Sequence, residues 1–182
     1  MIVPAGDSPT GRWKIDARTS VARFTMSYLI LATLKGSLGS IEGELVIDEM
    51  DHSRSTVTAS INVATVNTGV SLRDKHLRSR DFFDVERFPE VTFHSSRVEE
   101  TGARRFSIVG ELTIRDVTRE VELDAEYDEF TDRSGDRCAR FAATTTLSRR
   151  EFGLGRRGPL ETAGVIASDR VTVTLDIQAI AA

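Results

Sequence analysis

The chain has 182 residues, 24 Lys plus Arg against 28 Asp plus Glu, three histidines and one cysteine, for a formal net charge of −4. That length carries one domain with a substantial core, and no stretch has the composition of a linker that would divide it. Mild acidity with scattered basic residues and few aromatics argues against nucleic acid as a partner, and the lone Cys138 excludes an intrachain disulfide scaffold and reads as a small apolar filler within a strand.

The N-terminus "MIVPAGDSPTGRW" has no basic segment followed by an apolar run. No secretory signal is therefore predicted, residues 1–11 read as a loose segment of a single domain spanning 1–182, and a cytoplasmic location is expected. Strands are predicted around Trp13–Ile15 and Val21–Tyr28. The run "YLILATLKG" then breaks the alternation. It is far too short to span a bilayer, and reads either as a helical or looped lid over a barrel mouth, with Leu29, Ile30, Leu31 and Leu34 facing a ligand, or as a strand apolar on both faces at a dimer contact.

Alternation resumes at Ser40–Asp48 and is clear in "TVTASINV", where Val57, Ala59, Ile61 and Val63 face one way. The charged segment Thr68–Phe93 follows. Ser71 and Asp74 have the spacing of a capping box, so a short helix is predicted over about Leu72–Arg80, with Leu77, Phe82, Phe83 and Phe88 as apolar anchors. Pro89 forces Phe88 into an extended conformation that feeds the next strand. The segment reads as a helical cap across one end of a barrel.

Further strands are predicted over Val91–Val98, Arg105–Arg115, Arg119–Tyr127, Cys138–Leu147 and Arg170–Ala179, with Val121, Leu123, Ala125 and Tyr127, then Val171, Val173, Leu175 and Ile177, turned inward. Short turns between them require antiparallel neighbours, hence a meander. The fold class is all-β, either a two-sheet sandwich or a closed up-and-down barrel of about eight strands; closure suits strands this long because it removes both edges. Small residues at Gly43, Ala59, Gly110, Ala125, Ala143 and Thr145 interrupt the inward aliphatics, which serves a hollow interior or a tapered, filled one.

Arg73, Asp74 and His76 sit together in the cap, and an acid–base pair of Asp74 and His76 acting on a small apolar substrate is one reading, although no nucleophile motif or oxyanion loop accompanies it. A metal site drawn from His76 and His94 lacks the close, repeated ligand spacing of metal motifs, and no metal or other cofactor is predicted. His94 falls on a wet strand face and His52 in a turn, and neither asks for a functional role.

"WKIDARTSVARFTM", the ordered segment "VNTGVSLRDKHLRSRDFFDVERFPEVTF", the hairpin "VGELTIRDVTREVEL" and the late "LSRREFGLG" together resemble the YceI-like family of bacterial proteins, over Trp13 to about Ala179. The chain departs from that pattern at Thr19, Tyr28 and Asp116. The resemblance implies an extended, lipocalin-like antiparallel barrel with a short helical cap, whose interior holds a long isoprenoid lipid such as a polyprenyl phosphate or quinone, without catalysis. It also implies a homodimer. The lining expected on this basis is Phe24, Met26, Tyr28, Leu29, Leu31, Ala59, Ile61, Arg73, His76, Leu77, Phe83, Phe93, Ile108, Leu112, Leu123, Ala143, Thr145, Phe152 and Leu175, with Arg73, His76, Arg149 and Arg150 as head-group donors at the rim. A filled barrel that binds a protein partner on its surface is the remaining reading.

Overall fold

Strands with one apolar row bury it only if the sheet curls on itself or meets another layer. This one curls. The structure, a computed structural model, describes residues 10–28, 32–133, 136–155 and 167–182. The strands are β1 (Gly11–Ile15), β2 (Val21–Tyr28), β3 (Ala32–Leu38), β4 (Ile41–Ile47), β5 (Thr56–Asn62), β6 (Glu90–Gly102), β7 (Arg105–Ile114), β8 (Val117–Arg133), β9 (Asp136–Ser148) and β10 (Ala167–Ala181), and the helix α1 (Ser71–Arg78) lies between β5 and β6.

All pairings are antiparallel, in the order β1-β4-β5-β6-β7-β8-β9-β10-β2-β3, and β1 also pairs with β10. β10 holds β2 along Ala167–Asp176 and β1 along Ala179–Ala181, so β1 and β2 lie end to end on one of its edges. The gap between them is covered by Ser20, whose hydroxyl accepts from the Gln178 N–H at 3.0 Å and bonds the Gln178 carbonyl at 3.2 Å. β3 and β4 are likewise end to end, β3 on β2 and β4 on β1. They bend apart at Gly39 and Ser40, where Ser40 takes φ 51° and the Gly39 N–H donates to the Thr65 hydroxyl at 3.0 Å. With each end-to-end pair counted as one bent strand, the wall is a closed eight-stranded barrel.

The described parts of "YLILATLKG" are strand: Tyr28 ends β2 and Ala32 onward is β3, with Leu34 and Leu38 on the cavity side, while residues 29–31, on which the lid reading falls, lie outside the described residues. Cys138 lies on the row opposite buried Ala139 and half-buried Phe141, so it fills no interior space. At the start of the chain, Gly11 already belongs to β1 and pairs with Ile47; residues 1–9 lie outside the described residues.

The cap also differs from its expected form. Ser71 does not cap α1; the N-cap is Val70, without a side-chain bond. The stop is made by Asp74, whose carboxylate reaches back to the Thr68 N–H at 2.8 Å and to the Thr68 hydroxyl. Gly69, at φ 78°, turns the chain so that these groups meet. Leu77, Phe82 and Phe83 pack into the interior as expected. Phe88 does not, because its ring lies against the guanidiniums of Arg87 and Arg115, with centroid distances of 5.0 and 5.9 Å.

Candidate functional site

The inward rows do not fill the barrel. They enclose a predominantly apolar cavity of about 580 Å³ that runs from the cap to the opposite set of turns, within the size range of small-molecule sites. A filled interior is therefore excluded.

The rows place most of the expected lining on this cavity. Phe24 and Met26 come from β2, Ala59 and Ile61 from β5, Phe93 from β6, Ile108 and Leu112 from β7, and Leu123 from β8. Ala143 and Thr145 on β9, Phe152 in the turn after it, and Leu175 on β10 complete the wall, while Arg73, His76, Leu77 and Phe83 close it from the cap. The side chain of Tyr28 and residues Leu29 and Leu31 lie outside the described residues.

Two glycines explain why large aromatic residues leave a lumen. A Cβ on Gly36 would stand 2.3 Å from the Phe24 ring, and one on Gly110 would stand 2.6 Å from the Phe93 ring and 2.4 Å from the His94 carbonyl oxygen. Each ring lies back on a glycine of the neighbouring strand instead of crossing the interior. Gly110, one of the small inward residues, makes room by receiving a ring. Gly43 answers a different need, since a Cβ there would meet the Thr58 carbonyl oxygen at 2.0 Å where β4 and β5 approach closely.

At the cap end, polar side chains are buried or half-buried and tied to backbone. Arg73 donates from Nε to the Thr68 hydroxyl at 2.8 Å and from Nη2 to the Thr68 carbonyl at 2.9 Å. The Thr68 hydroxyl in turn donates to Asp74. That bond, then the Thr68 N–H and the charges of Arg78 and Arg73, holds the Asp74 carboxyl below its ordinary value against the opposing effect of burial. Asp74 does not line the cavity, and a carboxylate so engaged is a poor proton carrier, so the geometry does not assemble the Asp74–His76 acid–base pair.

Of the two arginines in "SRREFGLG", only one faces the lumen. Arg149 is 6% exposed and lines the cavity, with Nε donating to the Ser168 carbonyl at 3.1 Å and Nη1 to the Leu154 carbonyl at 3.2 Å. Arg150 points to solvent, its Nε 4.0 Å from Asp169. Burial pushes the Asp169 carboxyl up, but the Ser148 hydroxyl, the Arg150 N–H and the charges of Arg150 and Arg149 outweigh it and hold the group below its ordinary value.

The opposite end was not foreseen. There Glu49, His52, Glu100, Arg104, Glu126 and Tyr127 border the cavity. His52 stacks edge-on against Phe106, with centroids 5.1 Å apart, and its Nε2 is 3.6 Å from Glu100. Glu100 faces inward because the β6–β7 register shifts between Ser95 and Arg97, which moves the buried row from Val91 and Phe93 to Val98. The sequence carries that signal as a skipped beat in the alternation. Among the described residues no cluster of His, Cys, Asp and Glu could hold a metal ion, and no helix is long and apolar enough to cross a membrane.

A sequence profile described as the YceI-like domain matches residues 13–179. The chain belongs to the YceI-like family. Among YceI-like relatives, a UPF0312 protein of Serratia proteamaculans is 34% identical over 157 residues, covering 85% of this chain and 81% of that one. Another, from Pseudomonas putida, is 30% identical over 171 residues, covering 92% of this chain and 88% of its own. Among solved structures, Burkholderia cenocepacia BcnA superposes with a TM-score of 0.78 at 18% identity, over 90% of this chain and 98% of that one. A polyisoprenoid-binding domain from Saccharophagus degradans, implicated in plant cell wall breakdown, gives a TM-score of 0.70 at 15% identity, over 93% and 98% of the two chains. At those identities the likeness concerns the YceI-like fold.

Proposed function

We propose that this protein binds a long isoprenoid chain inside the barrel and carries or sequesters it without chemical change. The observation that carries the reading is the apolar cavity of about 580 Å³, walled by inward rows and kept open by Gly36 and Gly110. YceI-like membership and the fold shared with a polyisoprenoid-binding domain support it. Each buried methylene contributes about 0.8 kcal/mol, so a five-carbon isoprene unit contributes about 4 kcal/mol before the cost of ordering the tail. Affinity on this reading comes from the tail, and a phosphate or quinone head contributes selectivity.

The test is native mass spectrometry of the protein as purified, followed by solvent extraction and by titration of the delipidated chain with isoprenoids. Uptake of one tail per barrel, abolished by Ala143→Phe while the fold persists, is the expected result. An extract without lipid, together with no uptake on titration, overturns the reading.

A further inference from the structure

Among the described residues, the seam between β8 and β9 is only partly closed. Its ladder reaches Asp124 and Thr144 and stops, yet β8 begins at Val117 and β9 continues to Ser148. Over that stretch each strand keeps its partner on the other side, β7 for β8 and β10 for β9. The Tyr127 N–H donates to the Arg104 carbonyl at 3.2 Å and the Arg149 N–H to the Asp169 carbonyl at 3.0 Å, which fixes the phase of both strands. Alternation then turns the backbone groups of Thr118, Glu120 and Glu122, and those of Thr146 and Ser148, into the split. The Thr118 carbonyl is met there by a side chain, Arg119 Nη1 at 3.0 Å, in place of β9. A pocket of about 420 Å³ occupies the split, and Val121, Thr145, Leu147 and Phe152 line both it and the lumen.

From this geometry we infer that the split is a side entrance to the lumen and that the Phe152 ring gates it. The inference rests on the isoprenoid reading above. A tail entering at either end of the barrel meets charge, Arg73 and His76 under the cap or Glu49, Glu100 and Glu126 at the opposite turns. The inner lips of the split are apolar, so a tail passes Val121 and Leu147 into the lumen without stripping water from a charge. The outer rim carries Glu120, Glu122, Thr144 and Thr146, all exposed, where a polar head stays in water. Phe152 stands where the two spaces meet. It is 2% exposed and belongs to the buried cluster on which Val117, Val121 and Leu147 pack. Its turn is anchored at the root, because the Arg149 N–H bonds the Asp169 carbonyl and the Arg150 N–H the Asp169 carboxylate. The ring therefore opens the way by rotating about its own side-chain torsions while the backbone stays in place.

The test pins the split shut in the full delipidated chain. Glu122→Cys and Thr146→Cys, made together with Cys138→Ser, are joined by a short bismaleimide or, as the control, capped singly with N-ethylmaleimide. Uptake and release of geranylgeraniol are followed by time-resolved native mass spectrometry. Joining should slow both by about tenfold or more relative to the capped chain. The same join at His94→Cys and Glu111→Cys, across the unbroken β6–β7 ladder, should leave both rates unchanged. Phe152→Leu, a smaller gate, should speed uptake and release together by about threefold. A joined chain that takes up the probe at the capped chain's rate overturns the side entrance, and unchanged rates in Phe152→Leu overturn the assignment of the gate. A parent chain that takes up no geranylgeraniol overturns the isoprenoid reading, and this inference with it.

Discussion

The two ends of the barrel are closed by different physics. At the cap, an inserted segment lies across the mouth, and the side chains beneath it are buried and charged: Asp74 on Thr68, Asp84 at 3.5 Å from Arg87, and Arg149 on two carbonyls. At the far end the strands simply turn, and the charged groups are partly exposed pairs such as His52 with Glu100 and Arg105 with Asp124. Buried charges are costly to leave half-satisfied, whereas exposed pairs contribute little. One end should therefore be sensitive to single substitutions and the other tolerant.

The strongest way to break that comparison is at Asp74. Asp74→Ala removes the buried carboxylate that accepts from the half-buried Thr68 N–H, and a loss of about 2 kcal/mol is expected by denaturant unfolding; a loss under 1 kcal/mol would remove the distinction between the ends. Next comes the waist between them. Gly110→Ala drives a methyl into both a ring and a backbone oxygen, and should cost about 2 kcal/mol and weaken tail binding by calorimetry. At Gly36→Ala the nearest atoms the methyl meets all belong to the Phe24 ring, which can swing into the lumen, so it should cost less stability but impair tail binding at least as much.

Acid sharpens the same contrast. Asp74 and Asp169 have folded values below the ordinary aspartate value of about 3.9, so their stabilisation is complete above roughly pH 5 and is lost as pH falls through that value toward the folded one. Thermal melts from pH 6 to pH 3 should decline less steeply for Asp74→Asn than for the parent chain. The smallest effects belong to the far end. Glu100→Gln should change stability by less than about 0.5 kcal/mol, and Met50→Ser, at a side chain 95% exposed, by no more than that.

How far the sequence could be read follows the same division. The wall was legible because period-two alternation survives in β5, β8 and β10, where inward rows such as Val121, Leu123 and Ala125 reach the cavity as read. β3 was read only as one of two alternatives, and as apolar on both faces, although Leu34, Gly36 and Leu38 alternate with Thr33, Lys35 and Ser37, because the apolar run just before it hid the beat. The cap was legible as a cap, but its helix boundary was not: Ser71 offered a conventional stop, and the choice went to Asp74 through a contact with Thr68 that only the glycine turn creates. Which of Arg149 and Arg150 faces inward, and that Glu100 reaches the lumen, depend on a tight turn and a bulge, features that spacing in the chain does not resolve.

The bend at Gly39 and Ser40 has a mechanical meaning. Among the described residues, β3 has β2 on one side, and on the other it meets the connection to the cap through one bridge, in which Ser37 and Asn67 exchange N–H to carbonyl bonds of 2.9 Å each way, with the Thr65 hydroxyl bonded to Gly39 just beyond the strand. Ladder alternation points the N–H groups of Thr33 and Lys35 toward that same side. Among the described residues, this part of the wall is laced by these few bonds instead of by a continuous ladder. On the proposed reading, a chain entering here would not need to be threaded tip first if those bonds gave way, because the wall would open sideways. The Thr33 and Lys35 amides are where hydrogen exchange would register that opening.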